Sequence, residues 1–194
     1  MSRADDLLQL AEELSNLHAP NHRQVDLSRA VSTVYYALFH LLISEATANW
    51  QEDRLRPILG RIFEHAKMKS ACEAKISELN SYFEGNPSRR REQVVSLHLH
   101  WVAKTFVQSQ QQRHDADYNT VKEWTDTEVA TLIASVAQAF KSWRIIQAEL
   151  VAQTLLVSML GGKERKEAQL ATSKKKNSKN PIPPIPTDES LPPP

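Results

Sequence analysis

Residues 110–119, QQQRHDADYN, place a guanidinium (Arg113), an imidazole (His114), two carboxylates (Asp115, Asp117) and a phenol (Tyr118) within a few positions of one another. A guanidinium can hold a phosphate through paired N–H donors. An imidazole carries protons at neutral pH because its pKa is about 6.5, whereas a phenol, near 10, donates well and is a poor base. Phosphate binding, proton transfer or both are therefore within this cluster's means. Its structural use is a clasp at the end of a helix: Asp117, four residues beyond Arg113, pairs with it, and Tyr118 anchors the loop that follows.

A second polar pair lies in VYYALFHLLI, residues 34–43, where Tyr36 and His40 stand one turn apart in a segment that is otherwise apolar nearly all round. An unpaired buried polar group costs about 1–3 kcal/mol, so both need partners. Neighbouring helices supply them in one reading; in the other, the two groups point into a groove beside Arg113. Elsewhere the signals are weaker. The imidazoles of HLH, His98 and His100, diverge by about 200° on a helix and make a poor metal pair. RIFEH puts Arg61 and His65 four residues apart, a spacing that serves a phosphate or merely a solvated helix face. There is no Gly-rich phosphate loop, no G-x-S-x-G and no HExxH. The single cysteine, Cys72, excludes an internal disulfide and a Cys-cluster zinc site. No metal or cofactor is expected.

Long amphipathic helices must position these groups. Leucines at 7, 10, 14 and 17 predict a first helix over 3–18, ended by Pro20. A second is expected from about 26 to 49, with Asp26 or Ser28 capping it. A third region, about 53–83, carries Pro57 in its first turn and Ile58, Ile62, Ile76, Leu79 and Phe83 at helical spacing. A fourth, about 92–112, presents Val95, Leu99, Val102, Phe106 and Val107. Thr125 or Asp126 with Glu128 forms a capping box for a fifth over 127–160. No segment alternates with period two, so the fold class is all-α: an antiparallel helical bundle of about five helices over 1–162. Residues 163–194, rich in Lys and Pro, read as a disordered tail leaning to polyproline II.

Charge restricts the partners. Of 24 Lys/Arg and 23 Asp/Glu, the segment from Gly162 onward holds seven and four, which leaves the bundle at 17 against 19. Any nucleic-acid site on the bundle is thus a local patch. SRRRE at 88–92 and KKKNSK at 174–179 are basic runs that serve as solvated segments or as phosphate contacts. No apolar stretch suits a membrane span, and the N-terminus lacks the apolar core of a signal peptide. A cytoplasmic location is expected.

DLSRAVSTVYYALFHLLISEA followed some seventy-five residues later by RHDADY resembles the HEPN superfamily of small helical-bundle proteins, over roughly residues 5–150. The resemblance implies a homodimer with a shared groove, RNA or a nucleotide-linked partner as ligand, and a stress or defence setting. It also implies pairing, in toxin–antitoxin fashion, with a nucleotidyltransferase-like protein. Ribonucleases of that family use an Arg and a His across the dimer. Arg113 and His114 match the Arg and the polar residue after it, while Tyr118 stands where the family His is expected. Arg113, His114 and Tyr118 are then the catalytic candidates for a metal-independent, non-standard ribonuclease. Tyr36, His40 and Asp117 are the ligand-binding candidates. The alternatives are a non-catalytic interaction module, with a bundle interface and the Pro-rich tail serving partner binding, or a toxin–antitoxin component paired with that nucleotidyltransferase-like protein.

Overall fold

Helix α1, Arg3–Asn16, begins at a capping box in which the Ser2 hydroxyl accepts from the Asp5 N–H and the Asp5 carboxylate accepts from the Ser2 N–H. That exchange satisfies two backbone groups that a helix start leaves without intrahelical partners. In the computed structural model, which describes residues 2–48, 50–85 and 90–160, six further helices follow: α2 (Gln24–Ala48), α3 (Arg56–Gly60), α4 (His65–Gly85), α5 (Arg90–Tyr118), α6 (Asp126–Ile146) and α7 (Leu150–Leu160). A 3-10 turn, Asp53–Leu55, leads into α3. No strand occurs among the described residues.

The bundle is organised around α2. Ala30, Val31, Val34, Tyr35, Ala37, Leu38 and Leu42 on it are fully buried, and it packs against α1, α5 and α6. A helix apolar nearly all round must be surrounded in this way. Facing it are Leu99, Val102 and Phe106 of α5, and Val129, Val136, Phe140 and Trp143 of α6. Met68 and Cys72 of α4 and Leu155 and Met159 of α7 complete the core.

Several expected elements differ. The third region is not one helix. It breaks at 61–64, where Phe63 turns into the core, and Ile58 and Ile62 are exposed. The fifth is also two helices. Buried positions step from Ile146 to Ala152, and six residues rotate a helix by about 240°, off the face it was using. Leu150, at the start of the second of these helices, is 79% exposed. On α1 the seam is Ala4, Leu7, Leu8, Ala11 and Leu14, with Leu10 and Leu17 facing outward. Neither expected cap of α2 acts as one. Asp26 lies inside the first turn and accepts from Arg23 and His18. The capping box of α6 is present as Thr125 with Glu128.

The fourth helix does not stop at Gln112. It runs through the polar cluster to Tyr118, held by side-chain pairs one turn apart: Gln111 donates to Asp115 at 3.1 Å, Arg113 pairs with Asp117 at 2.7 Å, and the rings of His114 and Tyr118 lie 5.0 Å apart. Each such pair contributes about 0.2–0.5 kcal/mol to a helix. Asn119 then turns the chain, its side-chain oxygen accepting from the N–H groups of Val121 and Lys122. The expected tail, and most of the loop containing SRRRE, lie outside the described residues.

Candidate functional site

Arg113 emerges from the last turn of α5 toward α2. Its Nη2 donates to the Tyr36 hydroxyl at 3.1 Å, and its Nε lies 2.7 Å from Asp117 Oδ2. That second contact is ionic rather than aligned, because the Nε–H has no hydrogen-bond acceptor on its axis. The other Asp117 oxygen accepts from the Ser32 hydroxyl at 2.6 Å. Arg113 and Asp117 side chains are each about one-fifth exposed. The result is a closed relay, Ser32–Asp117–Arg113–Tyr36, that ties α2 to α5 across 77 to 85 residues of chain. The guanidinium also lies over two rings, 5.6 Å from the centroid of Tyr36 and 5.7 Å from that of Tyr118.

Above this relay opens a cleft of about 550 Å³. One wall is a single face of α2, residues Val25, Ser28, Arg29, Ser32 and Tyr36; the other is the end of α5 from Arg113 to Tyr118. The three- and four-residue steps along α2 make that face. Arg29 makes no ion pair within 4 Å among the described residues, so the cleft carries one committed cation and one uncommitted one against a single carboxylate.

The sequence candidates are distributed unevenly around it. Arg113, Tyr36, Asp117 and Tyr118 line the cleft. His114 does not: it points along the exposed side of α5 against Tyr118. Tyr118 is 65% exposed, so it does not anchor the following loop. His40 packs its ring 6.5 Å from Tyr36 and 5.5 Å from Phe39 and is not among the cleft's lining residues.

The buried tyrosine–histidine pair of the bundle is a different one. Tyr35 and His65 share a 2.6 Å hydrogen bond, and His65 stacks on Phe39 at 4.3 Å. Burial pushes the Tyr35 phenol well above its ordinary range. Burial first, then the Arg113 charge, lowers the His65 pKa; burial, Arg3 and His65 lower that of His40. Both imidazoles are therefore neutral at neutral pH and add no positive charge behind the cleft. Arg61 and His65 do not share a helix face, since Arg61 caps α3 and His65 begins α4. His98 faces Ser142 at 3.1 Å while His100 meets the edge of Phe83, so they point to different neighbours. Among the described residues no group of His, Cys, Asp and Glu is arranged to hold a metal ion, and no helix is long and apolar enough to cross a membrane.

The sequence pattern did not place Arg29 and Ser32 at the site, and it offered Ser28 only as a helix cap. Their signal was the spacing 28, 29, 32, 36, a polar stripe along the start of an otherwise apolar helix. It also missed Gln24, whose amide donates to the Trp124 carbonyl at 2.9 Å and accepts from the Trp124 N–H at 2.8 Å. That double bond fixes the α5–α6 connection against the start of α2. No family model matches the chain, and neither a curated protein nor a solved structure matches it.

Proposed function

We propose that the chain is a HEPN-like bundle protein whose α2–α5 cleft holds single-stranded RNA by a phosphate and does not cleave it. The observation that carries this reading is Arg29: a cation lining a polar cleft, flanked by the Ser28 and Ser32 hydroxyls, with no ion pair among the described residues. Arg113 is already balanced by Asp117, so it shapes the cleft and supplies the second, weaker contact. Cleavage by this cleft lacks support because none of its lining residues is an imidazole. The Tyr118 phenol is a poor substitute for an imidazole as a base.

Exposed apolar residues at the mouth, Val25 and Tyr118 with the nearby Val121, support a second copy of the chain as neighbour there. Pairing with a nucleotidyltransferase-like protein rests on the family resemblance. A second reading, a protein-interaction module, draws on Val94, Leu97 and Trp101, exposed at helical spacing along α5. Incubating the protein with mixed RNA at low salt separates these functions. The RNA-binding reading expects a mobility shift with intact RNA, lost in Arg29→Ala. It fails if wild type shifts no RNA, or if RNA is cut by wild type and spared by Arg113→Ala.

A further inference from the structure

A second groove of about 550 Å³ lies on the other side of the α5 end, between α5 and α6. Its chemistry is opposite to that of the cleft. Thr105, Gln108, Gln112, Thr127 and Thr131 face it, and it contains no cation. Its one carboxylate, Glu128, is committed to Lys122 at 2.7 Å and to the α6 cap. The side chains of Thr105, Gln108, Gln112 and Thr131 make no hydrogen bond among the described residues. The Gln112 oxygen is buried without any donor.

Between the groove and the cleft runs a ridge of α5 bearing His114 and Tyr118, both exposed, with their rings 5.0 Å apart.

We infer that the α5–α6 groove is a base-reading subsite, taking an unpaired nucleobase from the same strand whose phosphate sits at Arg29; the inference rests on the RNA-binding reading of the cleft. A phosphate entering the groove finds no uncommitted cation, because Lys122 at its edge is engaged by Glu128. A nucleobase edge is neutral, offers donors and acceptors at fixed spacing, and is matched by amide and hydroxyl side chains. A groove of about 550 Å³ leaves room for a base. The His114–Tyr118 ridge gives the intervening base a ring to stack on.

The test uses fluorescein-labelled ten-nucleotide homopolymers of U, C and A, with binding followed by anisotropy at low salt. Wild type is expected to favour one of them over the weakest by about fivefold or more, the ratio one hydrogen bond produces. Gln108→Leu combined with Thr131→Val removes exposed groups from the groove alone. It is expected to bring the three within about twofold of each other without changing the salt dependence. Gln108→Ala, a milder exposed change, gives the same direction, and unchanged melting curves certify both variants as folded. Equal wild-type binding of the three homopolymers, or a preference that survives in both variants, overturns the base-reading subsite and leaves the cleft reading standing. Absence of binding by wild type removes the cleft reading and this inference together. Calorimetric binding of maltotriose by wild type and not by the groove variants assigns the groove to a neutral sugar and overturns the nucleobase.

Discussion

Arg113 illustrates how one residue serves architecture and chemistry together. Its guanidinium closes the Ser32–Asp117–Arg113–Tyr36 relay between two helices. Truncation leaves a mostly covered carboxylate and a phenol without their partner. Arg113→Ala is expected to cost about 1–3 kcal/mol of folding stability, read from urea denaturation. An unchanged midpoint would mean that the relay does not brace the bundle. Glu128 gives a pH-resolved counterpart. The Lys122 hydrogen bond, followed by the Thr125 backbone and hydroxyl, lowers its pKa from 4.5 to about 2. A carboxyl lowered in the fold contributes stability that is complete above its unfolded pKa and is lost as pH falls through the folded one. Glu128→Gln should therefore melt lower than wild type at neutral pH, with the deficit shrinking between about pH 4.5 and pH 2. A deficit of constant size across that window would contradict the capping role. At this scale the sequence was partly legible. Tyr36 stood out as a polar group in an apolar helix that needed a partner, and Arg113 is that partner. The neighbouring Tyr35 was indistinguishable from Tyr36 by composition. Only the packing of α4 against it decides that His65, and not His40, is its hydrogen-bond partner.

Among the elements, α5 departs furthest from its sequence pattern. Its apolar period ends near Phe106 and Val107, which suggested an early stop. The last turn is instead sustained by polar pairs one turn apart, a contribution that hydrophobic periodicity does not register. Ala116→Gly in that turn should cost about 1 kcal/mol and weaken RNA binding, because the turn carries Arg113 and Tyr118 into the cleft. Thermal denaturation beside a binding isotherm checks both parts, and full retention of affinity would detach the turn from the site. The α6–α7 break was hidden for a related reason. Leu150 continues the apolar series in sequence, but the buried face resumes at Ala152 on a rotated helix. Gln24 holds the α5–α6 connection by two hydrogen bonds to Trp124, so Gln24→Ala is expected to cost about 1–2 kcal/mol in urea denaturation. An unchanged unfolding midpoint would show the connection held by other contacts.

At the scale of the whole molecule, the helical bundle followed directly from composition and periodicity, since few glycines, long apolar stripes and no alternation leave little else. The bundle's purpose in this account is to bring two polar faces to one end. The start of α2 offers Arg29, and the end of α5 offers Arg113 already balanced by Asp117. The site was half legible for that reason: the α5 cluster is contiguous in sequence, whereas the α2 wall is spread over three turns and gains meaning only when α5 is laid against it. The charge pattern of the bundle, slightly acidic as a whole, agrees with a confined cationic site rather than a basic surface. The most direct measurement is the affinity for a labelled single-stranded RNA at several salt concentrations, with wild type beside Arg29→Ala. The account predicts weaker binding by the variant and a log–log salt slope shallower by about 0.7, the loss of one phosphate contact on a single strand. Equal affinity and equal slope in the two proteins would contradict it.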